Sequence, residues 1–499
     1  MAQEIELKLA MAETGWRAMA RHPVLKGAIA AARIQTLRNL YFDTPDLRLR
    51  HQRVALRLRK TGRRWLQTVK CASAAQAGLS ARPEWEQAFA GRFDFSMIED
   101  TALRAELEAL RDRGSLGVVF DTTFERREWR FATDGGEVLL MADRGHIVVG
   151  ERREAISEIE LELAGAPVSA LLDLAGRLAA TLPLRAESRS KAQRGYDLLA
   201  DARPVPIRAG RSPIDPQGSA TAALRAIALD CIAHYQANEH GSLHSDAPEF
   251  VHQMRVALRR LRSALRVFEP ALPDGVAQDI AQLLRALASD LGELRDRDVL
   301  QSELVVPALH AAPRDRDLNR LAGLLAAERA RARERVLLAL QDGRQARLMI
   351  ALLAALQGDD TTAGPDSLSL DRLARKRLGR AHERMTQATR LAESGDIDAL
   401  HALRIDVKRL RYALEFFQPL LHAERTRKQL ATLTAVQEEL GYINDLSQAG
   451  PRLLAAAGND AGLLSAVARI AAAHAPRYRE IVASAPALLK RLRTLPRPR

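Results

Sequence analysis

Cysteine is nearly missing from this chain: Cys71 and Cys231 are its only two, far apart and in no paired motif. That excludes a thiolate zinc site and fits a reducing compartment. Aromatic residues are also scarce, at 4%, too few to build the stacking platforms on which single-stranded nucleic acids bind. No apolar run is long enough to span a bilayer. Acidic residues at Glu4 and Glu6 precede any apolar stretch, so the N-terminus lacks a signal-peptide pattern. These absences predict a cytoplasmic protein with no membrane partner. Positive charge, by contrast, is abundant. A formal net charge of +13 calls for a polyanionic partner. With so few aromatics, a polyanion without bases fits better than a nucleic acid.

A chain of 499 residues has room for two to four domains at about 150 residues each. Its character changes near residue 200. Before that point, short alternating segments read as strands: Ile5–Leu9, Val54–Arg59, Trp65–Lys70, Glu84–Ala88, Glu125–Phe131, Val138–Asp143 and Ile156–Leu163. Amphipathic helices are expected near Met97–Arg111 and Val168–Ala180. Residues 201–217, with Pro204, Pro206, Pro213 and Pro216, break both periodicities and read as a linker. Everything beyond is rich in Ala, Leu and Arg at helical spacing. An internal repeat lies there: His252-Gln-Met-Arg255-Val-Ala-Leu-Arg259-Arg260-Leu-Arg262 recurs as His401-Ala-Leu-Arg404-Ile-Asp-Val-Lys408-Arg409-Leu-Arg411, offset by 401 − 252 = 149 residues. The same offset carries Leu291-Gly292 onto Leu440-Gly441 and Asp296 onto Asp445. The expected organisation is an α+β domain over 1–200 and an all-α domain over 218–492. The latter is a pseudo-two-fold bundle of repeats at about 218–360 and 367–492.

In a strand, residues two apart share a face. Glu4, Glu6 and Lys8 therefore form one charged row; Arg57 with Arg59, Glu84 with Glu86, and Glu158, Glu160 and Glu162 form others. Any single row is most simply a solvated outer face. Yet each alternates with apolar residues such as Ile5, Leu7, Leu56, Leu58, Ile159 and Leu161. If the apolar set packs outward against helices, the charged set lines the inside of an antiparallel barrel of about eight strands. Carboxylates enclosed there need cations, from arginine, lysine or metal. Oxygen-only ligands select Mg²⁺ or Mn²⁺ over zinc.

Glu4-Ile-Glu6-Leu-Lys8 resembles the ExExK signature of the CYTH domain, the triphosphate tunnel metalloenzymes. Further matches follow in order: Tyr41-Phe42-Asp43-Thr44, Arg57-x-Arg59, Lys70, Arg82-x-Glu84-x-Glu86, Glu158-x-Glu160-x-Glu162 and Ser190-Lys191 before Arg194-Gly195-Tyr196. The resemblance implies an eight-stranded antiparallel tunnel with flanking helices that hydrolyses or cyclises triphosphates with Mg²⁺ or Mn²⁺. It implies that Glu4, Glu6, Glu160 and Glu162 hold the metals. Arg57, Arg59, Lys70, Arg82, Arg126 and Lys191 would clamp phosphate oxygens. Lys8 would stabilise the leaving phosphate, and Glu84 or Glu162 would orient the attacking water. Inorganic triphosphate, split into pyrophosphate and phosphate, is the expected substrate. Adenylate cyclases and thiamine triphosphatases share the scaffold. For a nucleotide or thiazolium, Tyr41, Phe42, Trp65 and Trp85 are the recognition candidates, although core packing is their commoner role.

In the second half, steps of three and four residues put His252, Arg255, Arg259, Arg262 and Arg266 on one helix face, beside an apolar row of Val251, Met254, Leu258, Leu261, Leu265 and Phe268. His401, Arg404, Lys408 and Arg411 repeat the basic row. A solvated basic face is the plain alternative, but such faces usually mix in acids. A histidine metal site is disfavoured because cations surround each histidine. Asp296, Asp298 and Asp445 follow Leu-Gly pairs that read as helix ends, where they would cap or orient the arginines. The duplicated HxxR-x3-[RK]RLR motif, which includes Arg260 and Arg409, is similar to that of the CHAD domain. That resemblance implies binding of inorganic polyphosphate and attraction to polyphosphate granules. A non-catalytic polyphosphate-binding protein is the remaining alternative.

Overall fold

The computed structural model of the protein describes residues 3–71, 77–357 and 369–498. Its described residues divide into two compact units. One comprises the chain up to Val205 together with Ala339–Gln357; the other takes Pro206–Leu338 and the residues after Gln357.

The first unit is built on antiparallel strands: β1 (Gln3–Met11), β2 (Arg33–Asp43), β3 (Val54–Thr61), β4 (Arg64–Cys71), β5 (Leu79–Ala88), β6 (Gly117–Thr133), β7 (Gly136–Val149), β8 (Arg152–Ala164) and the short β9 (Leu184–Ala186). Hydrogen bonding runs β5-β4-β3-β2-β6-β7-β8-β1, and β1 pairs with β5 to close a ring of eight strands. Beyond Leu79, the first residue of β5, β9 takes over against the end of β1, with Leu9 opposite Ala186. Gly78 sits at that exchange with φ +88°, its carbonyl accepting from Lys8 N at 2.9 Å. A Cβ there would come within 2.6 Å of the Lys8 carbonyl, so only glycine fits.

Helices α1 (Trp16–Met19), α2 (Arg48–His51), α3 (Thr101–Asp112), α4 (Val168–Ala179) and α5 (Lys191–Leu199) flank the ring. Alternation decides which side chains face which way. Leu56 and Val69 turn outward into a cluster with Phe95, Ile98, Leu107 and Leu110, which leaves Arg57 and Arg59 pointing inward to line the enclosed cavity. The helix expected from Met97 begins only at Thr101, because Asp100 caps it by accepting from Ala102 N and Leu103 N. Strand β2 was not among the expected strands; its Arg33-Ile-Gln-Thr-Leu start alternates too weakly to stand out.

The second unit is helical: α6 (Ala220–His244), α7 (Pro248–Val267), α8 (Val276–Val299), a π-helical stretch Leu300–Val305 running into α9 (Val306–Ala311), and α10 (Arg316–Ala339). After α11 (Arg344–Ala355) come α12 (Leu370–Leu391), α13 (Ile397–Phe417), α14 (Ala423–Ala457) and α15 (Ala461–Arg493). The α6–α7 hairpin recurs as α12–α13, and the equivalent residues Phe268 and Phe417 (417 − 268 = 149) meet with ring centroids 5.2 Å apart. The repeat limits expected at residues 360 and 367 lie outside the described residues. Within the stretch read as a linker, Ile207 exchanges hydrogen bonds with the Asn238 side chain at 2.9 Å, and Ser212 donates to Phe416 O at 2.7 Å. No helix among the described residues is long and apolar enough to cross a membrane.

Candidate functional site

The ring encloses a cavity of about 620 Å³ lined mostly by charged side chains. Strands β1 and β8 supply an acidic wall of Glu4, Glu6, Glu160 and Glu162; β3, β4, β6 and α5 supply Arg57, Arg59, Lys70, Arg126 and Lys191. The sequence-predicted residues of this half therefore meet in one chamber. Arg82 stands opposite Glu4 in the β1–β5 ladder, but its side chain lies outside those described.

The acids are not equivalent. Glu84 lies 2.7 Å from Lys70 and 3.7 Å from Arg57. Burial alone would raise its pKa, but these two cations outweigh burial and hold it below the usual range. Such a carboxylate is a poor base. Glu162 has no hydrogen bond or ion pair among the described residues. Burial and the neighbouring Glu4, with smaller pushes from Glu160 and Glu6, drive its pKa up to about 7. Lys8 lies between Glu6 (3.5 Å) and Glu160 (3.7 Å).

Opposite the acids, cations stand in excess. Nε and Nη2 of buried Arg57 have no hydrogen-bond partner among the described residues. Arg59 donates to Asn39 Oδ1 at 3.1 Å and lies 3.5 Å from Glu86. Burial and then Arg57 lower its pKa to about 10. Buried N–H donors without acceptors are costly; an anion in the cavity would satisfy them.

Beneath this surface the motif residues Glu158, Glu160, Lys191 and Arg194 join Arg126 in a buried network around Asp143, which no motif in the sequence marks. Asp143 is fully buried and binds Arg126 bidentately, both contacts 2.7 Å, and Lys191 Nζ at 2.7 Å. Glu158 is equally buried and ion-pairs with Lys191 and, at 3.0 Å, with Arg194. Glu160 accepts from Arg126 at 2.6 Å and Lys191 at 3.0 Å. Glu160 is held well below the usual range because Lys191, Arg126 and Lys8 overcome its burial. Asp143, a single acid at the end of an expected strand, gives no signal of its own; its place opposite Arg126 in the β6–β7 ladder is what matters.

Two carboxylate groups could hold a divalent ion. Asp143, Glu158 and Glu160 converge closely enough, but Arg126, Lys191 and Arg194 already neutralise them. The cavity wall fits better. There Glu6 and Glu162 oppose one another across the β1–β8 ladder, and the crowding that lifts Glu162 is what a hard dication would relieve. Oxygen-only donors suit Mg²⁺ or Mn²⁺. Of the aromatic candidates for base recognition, Tyr41 alone lines the cavity, and Phe42 and Trp85 pack in the core. Tyr41 is buried and stacks on Phe120, Phe42 packs on Phe93, and Trp85 joins the cluster under α3. Trp65 lies under Lys60.

In the helical unit, the rows on α7 and α13 run from half-buried Arg255, Arg259, Arg404 and Lys408 to exposed Arg262, Arg266 and His401. Nε of Arg259 and of Arg404 lack hydrogen-bond partners among the described residues. Burial, then Arg404 and Arg259, bring the pKa of Lys408 down to about 7. Burial, then Arg295, bring that of His252 down to about 4. His401 instead meets Asn444 at 2.8 Å. Arg266 belongs to the same basic field, depressed by burial and then by Arg409, Arg262 and Arg384. The α12 residue Arg384 was not foreseen.

Some members of the motif do other work. Arg260 is buried and pairs with Asp230 of α6 at 3.1 Å, so it does not join the row. Arg409 pairs with Asp406 at 2.7 Å, and Arg411 with Glu415 and Gln437. Asp296, Asp298 and Asp445 lie inside α8 and α14 rather than at helix ends. Gly292 does not break α8; it leaves room for Arg255, whose Nη1 would be 2.6 Å from a Cβ there. Asp298 binds Arg329 at 2.7 Å, and Asp296 binds Arg452 at 2.8 Å.

Comparison with known proteins also distinguishes two parts of the chain. A family model described as the CYTH domain matches residues 2–196, and one described as the CHAD domain matches residues 226–454. An inorganic triphosphatase of Haemophilus influenzae is 32% identical over 202 residues, which is 39% of this chain and 55% of that relative. The chain thus spans about half the length of that curated relative. An uncharacterized protein of Mycobacterium tuberculosis is 27% identical over 429 residues, 78% of each chain. Among solved structures, the CHAD domain from the plant Ricinus communis shares 31% identity with a TM-score of 0.51. It covers 59% of this chain and 99% of that one.

Proposed function

We propose, for a chain that carries a CYTH domain over residues 2–196 followed by a CHAD domain over residues 226–454, metal-dependent hydrolysis of inorganic triphosphate to pyrophosphate and phosphate. The observation that carries this reading is the gathering in one cavity of the Glu4, Glu6, Glu160, Glu162 wall and a set of cations that includes Arg57, whose Nε and Nη2 have no hydrogen-bond partner among the described residues. The named activity of the Haemophilus influenzae relative supports it.

In this reading the carboxylate wall holds Mg²⁺ or Mn²⁺, which supplies charge neutralisation on the phosphate chain when bound. Arg57, Arg59, Lys70, Arg126 and Lys191 take the phosphate oxygens and fix the chain in line for attack. Lys8, held between two carboxylates, meets the charge that develops on the leaving phosphate. Glu162 is the carboxylate best suited to orient the attacking water, since Glu84 is tied to Lys70 and Arg57. Packing of Phe42 and Trp85 in the core leaves Tyr41 as the one of these candidates at the cavity, and its ring is already stacked on Phe120, which favours a bare phosphate chain over a nucleotide or thiamine ester.

Turnover of inorganic triphosphate, ATP and thiamine triphosphate, with Mg²⁺ and with Mn²⁺, tests the choice. Faster conversion of ATP to cyclic AMP would overturn it. Glu6→Gln and Glu160→Gln should each abolish phosphate release; unchanged release would leave only a binding protein.

The helical domain binds inorganic polyphosphate in the same proposal, along the rows of His252, Arg255, Arg259, Arg262, Arg266, His401, Arg404 and Lys408. Cations crowded together, with Asp445 and Asp296 only partly offsetting their repulsion, are stabilised by a uniform chain of phosphates. Arg259→Ala with Lys408→Ala should lower polyphosphate affinity, and binding should weaken steeply with salt. DNA that outcompetes polyphosphate at equal phosphate concentration would refute this half. Attraction to polyphosphate granules would follow from such binding.

A further inference from the structure

Helix α11 lies in the sequence interval that matches the CHAD family, yet it belongs to the compact unit of the tunnel. Its Gln345, Ala346, Leu348 and Leu352 are completely buried there. Ile350 Cγ2 lies 3.9 Å from the Cβ position of Gly176 on α4, and Arg347 donates to Ala179 O at 3.3 Å. The side-chain amide of Gln345 reads both backbone groups of Ala186: Ala186 N donates to Oε1 at 2.7 Å, and Nε2 donates to Ala186 O at 3.3 Å.

Ala186 joins this helix to the site. It stands opposite Leu9 on β1, next to Lys8. The following residue, Glu187, donates its N–H to the Lys8 carbonyl at 3.0 Å. Further on, Arg189 N donates to Glu187 Oε1 at 3.0 Å, and Ser190 caps α5 by accepting from Gln193 N. The segment then delivers Lys191 to Asp143 and Glu160. Gln345 is thus the anchor at the start of a short track, 186–191, whose later members line the cavity. Neither family pattern nor sequence spacing pointed to it. A glutamine buried without solvent must find partners for its amide, and here those partners are the backbone of the site.

We infer that Gln345 is a positioning residue for catalysis in the tunnel, holding Lys8 and Lys191 in register through Ala186, and that α11 is therefore a working part of the tunnel domain. The kinetic side of this inference rests on the triphosphatase reading; the structural side does not.

The test uses the full chain in three forms: wild type, Gln345→Leu and Ile350→Ala. Gln345→Leu keeps the volume but removes the hydrogen bonds. It should lower kcat for inorganic triphosphate by about 10-fold with KM changed less than about 3-fold, since misplacement by about 1 Å costs more than that. Ile350→Ala removes packing on α4 but leaves the amide in place. It should lower the melting temperature at least as much while kcat stays within about 2-fold, given an ordinary core truncation. Amide hydrogen exchange supplies the second readout: Gln345→Leu should speed exchange across 184–191 and at residues 7–9, with α6 and α7 unchanged. If kcat falls in proportion to melting temperature in both variants, Gln345 is merely structural and the inference fails. Unchanged exchange at 184–191 also overturns it. A wild type without triphosphatase activity, but with the expected exchange difference, would instead refute the triphosphatase reading and leave the anchor standing.

Discussion

Glu6 of β1 and Glu162 of β8 stand directly opposite one another in the antiparallel ladder and both face the cavity. Like charges in that arrangement destabilise a strand pair. A sequence under no functional demand would place a cation or a neutral residue at one of them, as it does further along the ladder, where Lys8 opposes Glu160. Glu162→Gln should therefore stabilise the metal-free protein, by on the order of 1 kcal/mol, while eliminating most triphosphatase activity. Thermal melts of wild type and variant, each with and without Mn²⁺, check this. Wild type should melt higher with the ion, and the variant should lose most of that increment. A variant that melts lower than wild type without metal would contradict the reading of this pair.

Asp143 tests the buried network under the cavity. It fixes Arg126 through two contacts of 2.7 Å and Lys191 through a third. Asp143→Asn preserves shape but turns one acceptor into a donor facing two cations. Breaking a buried charged pair costs about 3 to 5 kcal/mol. Part of that should appear as a lower urea midpoint. Activity should fall roughly 10- to 100-fold, the range for residues that orient direct ligands. A variant with wild-type kcat and reduced stability would show that Arg126 and Lys191 need no such support.

Alternation and motif encode the parts of the site that are local in sequence. The rows on β1, β3, β5 and β8 are legible because, in a closed sheet, charge repeating every second residue beside apolar neighbours can hardly face anywhere but inward. Glu162 could be named, but not its isolation, since that depends on Lys70 reaching Glu4 and Glu84 instead. Arg260 sits in a motif with Arg259 and Arg262, yet one helical step turns it toward Asp230. Gly292 read as a helix end because glycine after a periodic stretch so often caps one; only the packed neighbour Arg255 explains it. Gln345 and Asp143 act through the backbone and through buried partners far away in sequence, which no local pattern reports.

Lys408 gives the helical unit a pH dependence. Its folded pKa of about 7 reflects burial first, then Arg404 and Arg259; the unfolded value is about 10.4. Between these values the unfolded chain binds the extra proton, so stability should rise with pH across that window. A bound polyanion favours the protonated amine and must draw that proton from solvent above about pH 7. Polyphosphate affinity at fixed salt should accordingly fall between about pH 6.5 and about pH 8.5, by about 10-fold or less for one charge. Lys408→Arg, which stays charged, should flatten the profile. An equal pH dependence in that variant would assign the effect elsewhere.

Gly292 offers the sharpest separation of binding from stability. It lies within α8, and a Cβ there would stand 2.6 Å from Arg255 Nη1. The obstructing atom is the tip of a flexible side chain, so Gly292→Ala can be accommodated if the guanidinium swings away. Replacing a mid-helix glycine by alanine also gains up to about 1 kcal/mol. The helix should become more stable while Arg255 loses its place beside Arg259 and Arg295, groups that depress it, after burial, today. The expected result is a melting temperature equal to or above wild type with polyphosphate binding weakened by about 3- to 10-fold, as for loss of one or two well-placed charged contacts. Triphosphatase activity supplies the control, since Gly292 belongs to the other compact unit. If stability drops while affinity holds, Gly292 serves helix packing, and the close approach of Arg255 has no part in anion binding.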